Sequence, residues 1–419
     1  MKHRIVVLGA GYGGANAAGR LARRLHRDDF EITLVNGDPE FVERVRMHQL
    51  ASGQDLPHRP LRDVFAGTGV QVRTAWVTAV DVDRQTVDLT GEHGAETLGY
   101  DTLVYALGSA AADHGVPGAS EYAYNVAGKQ SALRLRERLR ELAPGGTVLV
   151  VGGGLTGIEA ATEIAEAHPD LDVAIAARGG VGGWLSEKAQ RHLRVVFDRL
   201  GITVHEHAEI SRVEASGVVT AARTSDPKDA AGVKGQRAAR IEHGAVGEIP
   251  AQLTVWTAGF TVHPIAAATT LAVSDTGRIV VDGTMRSISH PDVYAVGDAA
   301  FAEGAGGKPL RMSCAMATPM AWQAADALAA RLTGRKVPET TIGYLAQCIS
   351  LGRRDAIFQR VTPDDQVTST VITGRTAARI KEFICAGAAW GVSHPTMLLP
   401  TRRRHLATTG AAETTFVTA

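Results

Sequence analysis

Gly9-Ala10-Gly11-Tyr12-Gly13-Gly14 and Gly152-Gly153-Gly154-Leu155-Thr156-Gly157 are two turns of one design. Each follows a run of β-branched and aliphatic residues, Arg4-Ile5-Val6-Val7-Leu8 in the first case and Thr147-Val148-Leu149-Val150-Val151 in the second. Such runs read as buried parallel strands, and Ala15 to Leu25 and Gly157 to Ala167 read as the helices that follow them. The glycines divide the work: Gly9 and Gly152 permit the tight turn, Gly11 and Gly154 let the backbone approach a pyrophosphate, and Gly14 and Gly157 let helix and strand pack closely. The helix N-terminus then offers unpaired N–H groups and a partial positive charge to the phosphates. One such turn is weak evidence in a chain with 46 glycines. Two in matching context predict an α/β fold with two dinucleotide sites.

Three further strands carry small or acidic residues at their ends. His290-Pro291-Asp292-Val293-Tyr294-Ala295-Val296-Gly297-Asp298-Ala299 ends on a Gly-Asp pair, and a carboxylate fixed there suits a ribityl hydroxyl, so Asp298 points to a flavin. Tyr100 to Gly108 ends in Ala106 and Gly108, and Leu253 to Gly259 ends in Ala258 and Gly259. In order and spacing this set resembles the two-dinucleotide-binding-domain flavoproteins of the pyridine nucleotide-disulfide oxidoreductase superfamily, over roughly residues 1 to 335. The resemblance implies two Rossmann-like domains, with FAD in the first and NAD(P)H in the second. A FAD domain in two pieces, 1–112 and 275–340, is then interrupted by a nicotinamide domain at 118–270. His114-Gly115-Val116-Pro117-Gly118 marks the first crossing.

The cysteines separate branches of that superfamily. Disulfide reductases need a redox-active pair close in sequence, but Cys314, Cys348 and Cys385 form none, and sulfide:quinone oxidoreductases need a cysteine shortly after the second glycine turn, where this chain has none before Cys314. The three thiols read as small buried hydrophobes, with Cys314 the one nearest a flavin-facing helix. That helix, Ala317-Thr318-Pro319-Met320-Ala321-Trp322-Gln323, resembles a segment of type II NADH:quinone oxidoreductases that points its N-terminus at the flavin. The resemblance places Gln323 beside a quinone and Pro319 and Met320 near the flavin, with Pro319 in the first helical turn. Pro319 stands where the family often has a second glutamine. Glu159 matches a family glutamate near the nicotinamide carboxamide; it also suits the first turn of a helix electrostatically.

Cofactor preference is read at the second strand of each unit, where an acid accepts from a ribose 2′-hydroxyl and an arginine accommodates a 2′-phosphate. Ile32 to Val35 ends on Asn36, whose carbonyl oxygen still serves an FAD ribose. Val173 to Ala176 ends on Ala177-Arg178, so no carboxylate opposes a phosphate and Arg178 is placed to pair with one. NADPH is therefore expected to be tolerated or preferred.

Lys+Arg 44 against Asp+Glu 44 leaves no net charge, and aromatics are 5%, so nucleic acid is not an expected partner. The chain enters its first strand at once, with no room for a signal peptide, and no apolar run reaches a bilayer span; the expectation is a cytoplasmic protein. Residues 70–98 read as a small antiparallel sheet, residues 128–143 as an amphipathic helix, and Thr224 to Gly235 as a solvent loop. In the C-terminal region, 341–419, Gln347 to Val361 and Thr368 to Thr373 read as pairing strands and Ala377 to Trp390 as a helix. Its apolar run Phe383 to Trp390 and the basic tail Thr401-Arg402-Arg403-Arg404-His405 fit packing against the body, a homodimer contact, or peripheral contact with the inner membrane face. His205 and His207 are expected on one face of a strand, and no metal site is expected.

The mechanism implied is hydride transfer from NAD(P)H to FAD, then electron transfer to a quinone-like acceptor without a redox disulfide. Two other readings stay open: a flavoenzyme acting on a dedicated small molecule in a biosynthetic pathway, and a regulatory flavoprotein resembling relatives of apoptosis-inducing factor.

Overall fold

The computed structural model describes residues 1–92, 94–221 and 247–407; the expected loop Thr224 to Gly235 lies outside the described residues. The run His3–Leu8 forms a strand whose last four residues are buried. Phe30–Asn36 and Thr102–Tyr105 flank it in parallel, and Val293–Ala295 joins beyond Thr102–Tyr105, returning the late Gly297-Asp298 segment to the first sheet. On the opposite side Val70–Asp81 runs parallel to Phe30–Asn36 and then enters an antiparallel meander with Thr86–Gly91 and Gly94–Gly99, completing seven strands. The alternation over residues 70–98 is this meander.

The second glycine turn belongs to a separate five-stranded parallel sheet, ordered Thr203–Glu206, Asp172–Ala177, Thr147–Val151, Leu253–Trp256 and Ala123–Tyr124. The chain passes between the two sheets through Ser109–Ala111 and Phe260–Val262, and these crossings pair antiparallel with each other. Thr203–Glu206 ends before His207, whose backbone is left-handed (φ 58°), so His205 and His207 do not share a strand face.

The two glycine turns have the same steric logic. A Cβ on Gly14 would collide with the carbonyl oxygen of Gly9, and one on Gly157 with that of Gly152, whereas at Gly11 and Gly154 it would meet nothing within 4 Å. The helices they launch, Tyr12–Arg24 and Leu155–Ala167, have no side-chain cap, so their first N–H groups stay available to a ligand.

Cys314–Leu332 packs on Tyr12–Arg24, with Asp326 receiving Arg20 at 2.6 Å and Arg24 at 2.5 Å. This helix corrects one expectation. It begins five residues before Pro319, so the proline sits in the helix interior and leaves the Ala315 carbonyl without its usual N–H partner. The helix-forming run Cys314 to Ala317, bonded back to the Ser313 carbonyl, sets the start that a proline signal alone placed too late.

The C-terminal region is a three-stranded antiparallel sheet and a helix, Gly374–Ser393. Gln347 to Val361 is not one extended run: the Leu351 N–H bonds the Asp355 carbonyl, splitting it into Ala346–Ser350 and Ala356–Val361. Ile349, Leu351, Ile357 and Val371 of this sheet join the core of the second unit, while Ala389 and Val392 of the helix join that of the first. The region therefore clamps the two nucleotide units together.

Gly157→Ala is expected to destabilise the protein by about 1–3 kcal/mol through this overpacking, whereas Gly179→Ala, whose added methyl meets nothing within 4 Å, leaves the urea denaturation curve in place. Superimposable curves for the two variants would contradict the close approach of Gly157 to Gly152.

Candidate functional site

Asp298 follows the strand Val293–Ala295 and is held by two segments far away in sequence. Its Oδ2 accepts the Ser109 hydroxyl at 2.6 Å and lies 3.6 Å from Arg44 Nη1. Arg44 also donates to Ser109 Oγ at 3.0 Å and stacks over the Phe260 ring at 5.0 Å. Gly108, left-handed at φ 71°, leaves room for that guanidinium beside it. Ala106 lies under the first glycine turn, its N–H donating to the Leu8 carbonyl and its methyl against Gly14. Asn36 braces the same turn: its Oδ1 accepts the Ala10 N–H at 2.8 Å and its amide donates to the Asp38 carbonyl at 2.7 Å. One lone pair of Oδ1 remains for a ribose hydroxyl.

These residues fit FAD. Gly11 faces open space at an uncapped helix start, and Ser313 Oγ, just ahead of the helix Cys314–Leu332, is buried without a partner among the described residues. A pyrophosphate would complete the first, and a polar edge of a flavin the second.

In the second unit Ala177 is buried against Gly153, and Arg178 stands exposed at the end of the strand. The acid at the end of the neighbouring strand, Glu206, is already engaged by the Val181 N–H at 2.7 Å and by Arg194 at 2.6 Å. Ala258 and Gly259 sit where the chain crosses back, their carbonyls bonded by His114 Nε2 at 3.0 Å and by the Ala112 N–H at 3.1 Å.

Glu159 is more deeply committed than its sequence context foretells. It is buried on the helix Leu155–Ala167, and its Oε1 accepts from the Ser350 N–H at 3.0 Å, the Ser350 hydroxyl at 3.1 Å and Lys381 Nζ at 2.9 Å. Oε2 lies 3.9 Å from His48 Nδ1, and Lys381 also donates to the Cys348 carbonyl at 3.0 Å. Burial opposes charge on both partners, yet their attraction wins: the Glu159 carboxyl is held below its usual range and the Lys381 ammonium above its own. Burial leaves His48 neutral, with its pKa down to about 4. It pushes the thiols the other way, Cys314 up to about 12 and Cys348 up to about 11, so both are protonated at neutral pH.

Of the residues expected on the acceptor side, Met320 and Gln323 are engaged within the protein. Met320 is buried in the first core. Gln323 donates to the carbonyls of Gly283 and Thr340 and accepts the Thr340 hydroxyl at 2.6 Å. Its amide is spent on tying the loops of Gly283 and Thr340 to the flank of the first unit. Arg44, Ser109, Ser313, His48, Ser350 and Lys381 were not singled out from sequence. Only Lys381 had a visible signal, standing with Arg379 beside Phe383, Ile384 and Trp390 in the expected C-terminal helix.

The geometry can be set beside known proteins. The family profile described as pyridine nucleotide-disulphide oxidoreductase matches residues 3–329. This chain belongs to that family. Among pyridine nucleotide-disulphide oxidoreductases, an NADH dehydrogenase-like protein of Mycobacterium tuberculosis (strain H37Rv) is 31% identical over 85% of this chain and 87% of its own length. The demethylphylloquinone reductase NdbB of Synechocystis is 25% identical over 85% of this chain and 86% of its own. In fold, the chain superposes on NDH2 of Plasmodium falciparum in complex with NADH with a TM-score of 0.76 at 14% identity, covering 95% of this chain and 97% of that one. Membership implies flavin and nicotinamide cofactors and an oxidoreductase activity. Among the described residues no helix is long and apolar enough to cross a membrane.

Lys381→Met leaves the Glu159 carboxylate buried and unpaired and is expected to cost about 3–5 kcal/mol of stability. The double variant Lys381→Met/Glu159→Gln is expected to recover much of that loss. Additive losses in a denaturant-based double-mutant cycle would show that the pair is not coupled.

Proposed function

We propose that the chain is an FAD-dependent NAD(P)H:quinone oxidoreductase. The observation that carries this reading is the buried Glu159–Lys381 pair, which joins the second glycine helix to the C-terminal helix and sets an ammonium and a carboxylate in a water-poor junction. A quinone taking up two electrons develops negative charge on its oxygens, and a fixed ammonium there stabilises it. The raised thiols speak against a cysteine relay. The names of relatives, a demethylphylloquinone reductase and NADH dehydrogenase-like proteins, support the same acceptor class.

When bound, FAD would accept a hydride from NAD(P)H and pass the electron pair on. Asp298, Ser109 and Arg44 would hold its ribityl chain, and the uncapped start of Cys314–Leu332 would favour negative charge on its polar edge. Arg178, exposed beside Ala177, would receive a 2′-phosphate, so NADPH is accepted as well as NADH. The helix Gly374–Ser393 exposes Phe383 (79%), Ile384 and Trp390, and Met397, Leu398 (72%) and Leu399 follow. This apolar edge, with the arginines at 402–404, is suited to peripheral contact with an anionic membrane face. The same edge also fits a second subunit.

The test is anaerobic reduction by NAD(P)H followed by reoxidation with quinones, disulfides and ferredoxin in parallel. Reoxidation by quinones is expected, and a variant with all three cysteines changed to serine keeps it; preferential reoxidation by disulfides would sink the reading. Asp298→Ala is expected to weaken FAD retention, on the order of 2 kcal/mol, and wild-type flavin content would remove Asp298 from the site. Arg178→Ala is expected to raise the KM for NADPH roughly tenfold while leaving that for NADH unchanged; equal shifts would show that Arg178 does not read the phosphate.

A further inference from the structure

One buried acid has no place in the chemistry above. Glu163 lies one helical turn beyond Glu159 on the helix Leu155–Ala167 and is 1% exposed. Its Oε1 accepts from the Gln54 amide and stands 4.0 Å from Arg353 Nε, while Oε2 is buried without a partner among the described residues. Buried carboxylate oxygens are ordinarily bonded, so an orphaned one marks a group with something still to bind.

Three elements run side by side here and repeat the same arrangement at two levels. At the inner level the short helix Met47–Ala51 supplies His48, the glycine helix Glu159 and the hairpin Ser350. At the outer level stand Gln54, three residues past the end of that helix, Glu163, and Arg353 in the turn of the hairpin. Arg353 is exposed, its backbone N–H donates to Glu166, and its side chain reaches Glu382 at 3.3 Å. Glu163 thus stands between the solvent-facing arginine and the buried Glu159–Lys381 pair.

The proposed reaction needs such a connection. Converting a quinone to a quinol takes two electrons and two protons, and NAD(P)H gives up a hydride, which carries two electrons and one proton. Each turnover therefore draws one further proton from water into a buried site. We propose that Glu163 relays that proton, taking it up beside Arg353 and passing it inward to the Glu159–Lys381 pair, through which it acts. The relay rests on the quinone reading.

The chemistry of Glu163 suits the task. Burial raises its pKa to about 7, opposed by Arg353 and assisted by the charges of Glu166 and Glu159. The Lys381 ammonium and neutral His48 lie behind Glu159, and Glu382, paired with Arg46 at 2.6 Å, lies behind Arg353. A carboxyl that titrates near the working pH both gains and loses a proton readily.

The experiment uses the flavin-loaded protein, reduced anaerobically with NADH and mixed with 2-methyl-1,4-naphthoquinone in a stopped-flow instrument across pH 5.5–9. The wild-type reoxidation rate is expected to fall as pH rises through about 7, where Glu163 gives up its proton. Glu163→Gln is expected to slow reoxidation roughly tenfold or more and to lose that inflection, with reduction by NADH unchanged. Glu163→Asp, which keeps a carboxyl, restores part of the rate. Arg353→Gln is expected to move the inflection upward, because the opposing positive charge is gone; this variant carries the test if Glu163→Gln loses flavin.

A readout independent of turnover is folding stability. The folded carboxyl keeps its proton to a higher pH than the unfolded one, so Glu163 makes wild-type stability fall as pH rises from about 4.5 to about 7. Glu163→Gln removes that decline. A Glu163→Gln reoxidation profile superimposable on wild type would overturn the relay and leave the quinone reading intact. A wild-type protein that NADH reduces but quinone cannot reoxidise would overturn the quinone reading, and the relay with it.

Discussion

The contact on which the rest of the site depends is the bond between Lys381 and Glu159. A lone carboxylate or ammonium in that position would be expelled by the cost of dehydration; together, with Ser350 and the Cys348 carbonyl taking their remaining valences, they remain charged inside the protein. The pair joins a helix of the second unit to the C-terminal helix, which itself packs on the first unit. The pair thus adds a charged contact to the apolar packing by which the C-terminal region holds the two units together.

The two glycine turns were legible in the sequence because their requirements are local. Whether a Cβ fits at Gly14 or Gly157 is decided by backbone only a few residues away, and the pattern of small residues after an aliphatic strand reports it directly. The meander over residues 70–98 was legible for the same reason, since alternation is a property of neighbouring residues. Gln323 shows the opposite case. Its identity is plain in the sequence, but its partners, the carbonyls of Gly283 and Thr340, lie on loops that only the folded chain brings against the helix.

The pairing of Lys381 and Ser350 with Glu159 is hidden for a further reason. Nothing near Glu159 in the chain announces its partners, which lie in a region whose sequence is mostly small and apolar residues. Arg44 and Ser109 are similar: each is an ordinary polar residue until Asp298 is brought between them by a strand that crosses back from the far end of the chain. Long-range pairs of this kind depend on topology, which a single sequence encodes only through the sum of its packing.

The pairing of Ser109–Ala111 with Phe260–Val262 has a consequence for the architecture as a module. The second unit leaves and re-enters the first through adjacent, hydrogen-bonded strands, so its two ends are already together. Closing such a loop places little entropic demand on the host, however long the inserted segment is. The host sheet retains its register across the interruption, and the guest can differ in size or loop content without redrawing the flavin side. The second unit is thus threaded into the first at one two-stranded stem, which keeps the covalent connection constant while the C-terminal region holds the two units against each other.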